Sequence, residues 1–286
     1  MTEATLAPTP VVHRVADLRE QVAAWRKAGL TVALVPTMGA LHQGHLTLVR
    51  RAFELADRVV VSVFVNPIQF GPNEDFDAYP RTLDADRAAL ATVGASLVFA
   101  PAVAEMYPEG FATSISVSGV SEGLCGGSRP GHFNGVATVV TKLLMQAQPD
   151  VACFGEKDYQ QLQVIRRFVR DLDIPVAIEG VPTVREDDGL ARSSRNAYLS
   201  AEERAIAPNL HRTLQDTAAA IRAGSAVDAA LEAGRRALLA AGFASVEYLE
   251  LRAAEGLAPL AALDRPARLL VAARLGKTRL IDNIPV

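Results

Sequence analysis

The feature that most constrains this chain is an alternation of two periodicities over its first 180 residues or so. Short apolar runs rich in β-branched residues, Thr31 to Val35, Val59 to Val65, Ser96 to Ala100, Val151 to Phe154 and Pro175 to Glu179, read as strands. Between and around them lie segments with helical spacing: Ala16 to Ala28, His45 to Ala56, Thr82 to Val93, Gly135 to Gln146 and Tyr159 to Asp171. Nearly continuous apolar strands have to be covered on both faces, and each helix supplies a crossover between parallel neighbours. The expected fold class is therefore α/β, a Rossmann-like doubly wound parallel sheet.

The texture changes near Pro182. Two Ala-rich helices, Ala201 to Ala223 and Ala226 to Ala241, precede three strand-like pieces, Ser245 to Leu251, Ala267 to Arg274 and Thr278 to Asn283. Helices followed by strands without alternation point to a smaller C-terminal α+β domain. The expected division is 1–182 and 183–286. The formal net charge is −3, so bulk electrostatics give no support to a nucleic-acid partner. The longest strongly apolar run is seven residues, Val59 to Val65, against the roughly 20 a membrane span needs. Met1 to Pro10 lacks the pattern of a secretory signal, and the two cysteines, Cys125 and Cys153, form no disulfide framework. Those features suit a cytoplasmic protein.

Polar clusters fall where strands should end. Pro36-Thr37-Met38-Gly39-Ala40-Leu41-His42-Gln43-Gly44-His45 joins the first of these strands to a helix. Its glycines permit close backbone approach to a ligand, and the helix start offers unpaired N–H donors to an anion. His42 and His45 share one side of a turn and can donate to phosphate oxygens as negative charge builds on them. The pair is also compatible with surface histidines or with metal ligands, although zinc usually wants three or four neighbouring ligands. In Asn66-Pro67-Ile68-Gln69, the amides of Asn66 and Gln69 suit a small hydroxylated or carboxylated substrate, or the segment is a simple turn.

Gly155-Glu156-Lys157-Asp158 places a phosphate-seeking Lys157 beside Asp158, which can cap a helix or hold a ribose hydroxyl. Gln161 falls one turn further on. Arg192-Ser193-Ser194-Arg195-Asn196 makes either a phosphate clamp or a solvated linker. Arg129, in a turn-rich stretch before a helix, can pair with a carboxylate. No Walker A or strand-end GxGxxG sequence occurs. Cys125 and Cys153 have no adjacent histidine to activate them. Asp84 and Asp86 read most simply as surface acids on a helix, with a second-sphere role near magnesium as the alternative.

With these residues in view, the chain from about Val11 to Val286 closely resembles the pantoate–β-alanine ligase family. The carriers are PTMGALHQGH (36–45), FVNPIQFGPNEDFDAYPRT (64–82), RPGHFNGVATVV (129–140), FGEKDYQQL (154–162) and SSRNAYLS (193–200). HxGH alone marks a wider nucleotidyltransferase superfamily. The resemblance implies an ATP- and Mg2+-dependent ligase that joins pantoate to β-alanine through pantoyl adenylate, releasing pyrophosphate and then AMP. It implies that Met38 to His45, Gly155 to Asp158, Val184 and Arg192 to Arg195 line the ATP site, with His45 the proton-donor candidate. His42, Lys157 and Arg195 would join it in stabilising the transition state. Gln69 and Gln161 would hold pantoate, and Gln69 would also lie near β-alanine. It further implies a cytoplasmic homodimer with a small C-terminal lid domain. Two departures stand out: Arg192 where the family usually has an apolar residue, and Cys125 where many members have Glu. The competing classes are a nucleotidylyltransferase, whose product keeps the nucleotide, and a nucleotide-binding module without turnover.

Overall fold

A computed structural model describes residues 7–72 and 74–286. The sequence reading of Met1 to Pro10 therefore falls mostly outside the described residues. Contacts divide the chain into two units. One holds the residues up to Val117 with Arg129–Glu156 and Val164–Val181; the other holds Ser118–Ser128, Lys157–Gln163 and Pro182–Val286.

The first unit is built on strands β1 (Val11–Val12), β2 (Val32–Thr37), β3 (Arg58–Val63), β4 (Leu97–Phe99), β5 (Val151–Gly155) and β6 (Ala177–Val181). They form one sheet in the order β1-β4-β3-β2-β5-β6, with every pairing parallel. Helices α1 (Val15–Lys27), α2 (Gln43–Leu55), α3 (Leu83–Ala91), α4 (Val103–Met106), α6 (His132–Ala147) and α7 (Tyr159–Asp171) make the crossovers and flanks. Ala33, Val35, Val59, Val61 and Val98 pack with Leu48, Val49 and Ala52 of α2. The alternate residues Val32, Leu34 and Val60 are as completely buried, and α6 packs on β2. Burial on both faces is why these strands read as unbroken apolar runs.

Because β2 pairs with β3 on one edge and β5 on the other, the winding reverses there. Such a switch point opens a crevice at the carboxyl ends of the strands. The PTMGALHQGH segment leaves the end of β2, and Gly155 closes β5 beside it.

The second unit carries α5 (Leu124–Ser128), α8 (Ala201–Ile206), α9 (Asn209–Arg222) and α10 (Val227–Ala240). Its sheet is antiparallel, β7 (Ser245–Ala253), β8 (Ala267–Leu275) and β9 (Thr278–Pro285), in that order. Leu249, Leu251, Leu269, Val271, Ala273 and Leu280 face Leu210, Leu214, Leu231 and Leu238 of α9 and α10. The opposite face meets the two short early segments: Tyr248 reaches Cys125, and the Arg268 guanidinium stacks 3.8 Å from the Tyr159 ring centroid. Gln160 ties those segments together, accepting from the Cys125 amide at 2.9 Å and donating to the Val120 carbonyl at 3.1 Å.

One expected element divides. Ala201 to Ala223 is two helices, α8 and α9, with Pro208 at the break. Proline lacks the N–H a continuous helix needs and crowds the preceding turn. The expected cap at Ser200 is a full capping box, with Ser200 and Glu203 each accepting the other's backbone N–H. β1, α4 and α5, of two, four and five residues, are too short for a periodic pattern to disclose.

Leu34 is 1% exposed in the central strand, whereas Leu239 on α10 is 50% exposed. Leu34→Ala is expected to cost about 2–5 kcal/mol of stability, and Leu239→Ala to stay within about 0.5 kcal/mol. Chemical denaturation of the two variants checks the contrast.

Candidate active site

The turn after β2 is fastened by a buried carboxylate. Asp86, on α3 and only 3% exposed, accepts the backbone N–H of Leu41 at 2.8 Å and of Ala40 at 3.1 Å. Thr82 donates to the same carboxylate at 3.3 Å. Gly39 adopts φ +83, and a Cβ there would lie 3.1 Å from both Asp86 Oδ2 and Val63 Cγ1. Only glycine turns the chain that way without strain. The surface-acid reading of Asp86 is thereby corrected, because its oxygens hold the loop backbone; Asp84, two residues earlier, has a side chain 99% exposed. Leu83, Asp86 and Leu90 share a helical stripe (i, i+3, i+7), the one sequence signal that Asp86 points inward.

His42 caps α2, and its Nδ1 accepts the Gly44 N–H at 3.1 Å. His45 returns the contact, its Nδ1 accepting the His42 N–H at 3.2 Å. The rings lie 4.1 Å apart between centroids. A nitrogen that accepts from an amide cannot carry the proton, so in each neutral imidazole Nε2 bears the hydrogen. The capping arrangement thus sets the tautomer and leaves the Nε2–H of both rings as the donor.

The segment after β3 is equally over-determined. Asn66 is 1% exposed; it donates to Gln69 Oε1 at 3.0 Å and to the Gly135 carbonyl at 3.2 Å, and accepts from the Tyr107 hydroxyl at 2.7 Å. Burial pushes the Tyr107 phenol up, so it remains a donor. Gln69 Nε2 lies 2.9 Å from Met38 Sδ, which brings the two sequence clusters together. Gly135 makes this approach possible, since a Cβ there would fall 2.5 Å from the Ile68 carbonyl oxygen.

Arg129 is held in a fork by Glu74, with both bonds at 2.6 Å, and touches His132 at 2.9 Å. His132 in turn meets the Gln69 carbonyl at 2.9 Å. The structure gives the Arg129 guanidinium a protein carboxylate, and Glu74 is a residue the sequence did not single out. Burial works against the charge on Glu74, but the hydrogen bonds and charge of Arg129 prevail and bring its pKa down to about 2.

In the second unit, Lys157 lies 3.6 Å from Asp158, in a short 3-10 turn that leads into α7. Gln161 is half-buried beside the buried Gln160. The backbone N–H of Arg192 donates to the Val184 carbonyl at 3.0 Å, across a tight turn closed by the Arg185–Ala191 bridge. Ser193 caps the next 3-10 turn, accepting from the Arg195 N–H at 3.3 Å. Asn196 donates to Glu186 at 3.0 Å, and Arg204 clamps Glu186 and Asp188 at 2.7 and 2.6 Å. Burial opposes the charge on Glu186, but Arg204 and Asn196 together hold its carboxyl below the usual range, and Arg204 does the same for Asp188.

Both cysteines are buried free thiols. Burial, then the charge of Glu179, pushes the Cys153 thiol up to about 12, so it is not a nucleophile at neutral pH. Cys125 sits 3.1 Å from the Tyr248 hydroxyl and accepts from Arg279 at 3.4 Å, while Arg279 also pairs with Glu247 at 2.8 Å. No cluster of three or more His, Cys, Asp or Glu side chains among the described residues could form a metal cage.

An all-parallel sheet with a glycine-punctuated, histidine-bearing turn at its switch point and polar loops at its strand ends gives a Rossmann-like α/β protein whose candidate nucleotide site lies at the carboxyl ends of its strands. The family model described as pantoate-beta-alanine ligase matches residues 10–285, and the chain belongs to that family. It is 68% identical to a pantothenate synthetase of Paramagnetospirillum magneticum, over 96% of this chain and 97% of the relative. A pantothenate synthetase of Rhodospirillum rubrum is 61% identical, over 97% and 99%. The crystal structure of pantothenate synthetase from Thermus thermophilus superposes with a TM-score of 0.89 at 52% identity, covering 96% and 99%. That of the Francisella tularensis pantoate-beta-alanine ligase, complexed with beta-gamma ATP and beta-alanine, has a TM-score of 0.82 at 34% identity, covering 96% and 97%.

Because the folded-state pKa of Glu74 lies below its unfolded value of 4.5, its pair with Arg129 contributes stability that is complete above pH 4.5. That contribution is lost as the pH falls toward 2. Glu74→Gln is therefore expected to lower stability at pH 7 and to flatten its fall between pH 5 and 3. Urea midpoints measured across that range check it, and a parallel fall in the variant would refute the assignment.

Proposed function

We propose that this protein condenses pantoate with β-alanine at the expense of ATP, by way of a pantoyl-adenylate intermediate. The observation that carries the reading is the reciprocal histidine cap at the end of β2, in a chain of the pantoate-beta-alanine ligase family. A carboxylate is a poor acyl donor, and adenylation gives it a leaving group. One oxygen of the pantoate carboxylate attacks the α-phosphorus, the bond to the bridging oxygen breaks, and pyrophosphate departs with that electron pair. The β-alanine amine then attacks the acyl carbonyl, loses a proton and expels AMP.

Each step builds negative charge on phosphate, and donors held in place before the reaction stabilise it without reorganising. In the first unit we assign this work to the Nε2–H groups of His42 and His45, with His45 the proton donor to the departing pyrophosphate. The backbone of Met38 to His45 and of Gly155 and Glu156 is offered to ATP. In the second unit, Lys157, Asp158, Val184 and Arg192 to Arg195 are the nucleotide segments, with Lys157 and Arg195 supplying the cations. Gln69 and Gln161 are assigned to pantoate. Asn66 serves it by orienting the Gln69 amide, and Arg129 by steadying the Gln69 backbone through His132.

ATP enters as its magnesium complex, in which phosphate oxygens and water supply most ligands and no dedicated protein cage is needed. The reading also carries a cytoplasmic homodimer, checked by mass in light scattering. No helix among the described residues is long and apolar enough to cross a membrane.

Omitting substrates one at a time separates this reaction from nucleotidyl transfer and from binding without turnover. Pyrophosphate is expected only when pantoate is present, and AMP only when β-alanine is added too. A stable nucleotidyl product, or ATP binding with no pyrophosphate, would refute the reading. His45→Ala is expected to slow pantoate-dependent ATP–pyrophosphate exchange by about 10²-fold or more, the scale of losing one such donor. Exchange at the wild-type rate would remove His45 from its role.

A further inference from the structure

Strand β9 buries two polar residues side by side, Asp282 and Asn283, each 3% exposed. Burying such groups is costly unless every one is bound, so their partners are informative. Consecutive strand residues point to opposite faces of a sheet. Asp282, paired with Val271, faces the helices; Asn283, paired with Leu270, faces the other way.

On the helix face, Asp282 receives both ends of the Arg185 guanidinium, at 2.7 and 3.0 Å, and His211 Nδ1 lies 3.5 Å away. Arg185 also donates to the Gly189 carbonyl at 3.0 Å, so the ion pair closes the turn from Val184 to Arg192. Burial opposes the charge on Asp282, but the nearby His211 and the paired Arg185 guanidinium hold its carboxyl below the usual range. On the opposite face, the Asn283 amide donates to the Lys157 carbonyl at 2.9 Å. Asn283 Oδ1 accepts from Arg268 at 2.6 Å, and Arg268 stacks on Tyr159 two residues beyond Lys157.

We propose that Asp282 and Asn283 are positioning residues for the nucleotide, together setting the spacing of the Lys157 and Val184–Arg195 segments from opposite faces of one strand. This rests on the assignment of those two segments to ATP. Neither residue touches ATP in this proposal; each acts through backbone, Asn283 on Lys157 and Asp282 through Arg185. Two segments fixed to adjacent residues of a paired strand cannot drift apart, and misplacement of a binding group by about 1 Å can cost as much as 10²-fold in rate.

The test compares Asn283→Ala, Asp282→Asn and Arg185→Lys in the full-length enzyme, each first checked for folding by circular dichroism and thermal melting. Each folded variant is expected to raise KM for ATP by about tenfold, with KM for pantoate within about twofold of wild type. A merely structural role would lower the active fraction and leave all the KM values unchanged. Wild-type KM for ATP in the folded variants, or an equal rise for every substrate, overturns the proposal. Should Asp282→Asn fail to fold, Arg185→Lys tests the same ion pair with the charge kept and the fork lost. Calorimetric titration of Lys157→Ala with ATP separates the underlying assignment: undiminished affinity there refutes the role of Lys157 itself. Weakened affinity in Lys157→Ala beside wild-type affinity in folded Asn283→Ala refutes only the positioning role.

Discussion

Strand β2 must be buried on both faces and paired along both edges, and much of the first unit follows from that constraint. Its apolar residues leave no side for water, so helices cover it above and below. Pairing with β3 on one edge and β5 on the other reverses the winding at β2. Backbone leaving the carboxyl end of such a strand stands at an open crevice, and this chain places His42 and His45 there.

An open crevice is a poor place to hold a flexible turn, and buried polar groups supply what the apolar core cannot. Asp86 binds two consecutive amides of the turn, and the histidines cap each other's backbone. Asn66, with its amide shared among Gln69, Gly135 and Tyr107, does the same for the neighbouring loop. Each is costly to bury alone and secure when fully bonded, so these loops are held in one arrangement before any ligand arrives.

The second unit solves a similar problem with a smaller sheet. Its helix face is apolar, while the face opposite receives two segments from early in the chain, through Gln160, Tyr159 and Cys125. On that face Cys125 meets Tyr248 and Arg279, and Glu247 supplies a carboxylate to Arg279. The arginine's charge is thus balanced from its own sheet.

What the sequence by itself determined is local: period-two apolar runs, helical stripes, the Ser200 cap and the glycine-punctuated HxGH turn are each written within about a dozen residues. From these followed the α/β class, the sheet's winding and the clusters at strand ends. Only the tertiary structure decided which polar residues serve others. Asp86 reaches across 46 positions to Ala40, Glu74 across 55 to Arg129, and Asp282 across 97 to Arg185. It also decided that Ser118–Ser128 and Lys157–Gln163 pack with the later residues. The physical reason is that an apolar period repeats along the chain, whereas a hydrogen bond between distant residues leaves no periodic trace until folding brings its two ends within 3 Å or so.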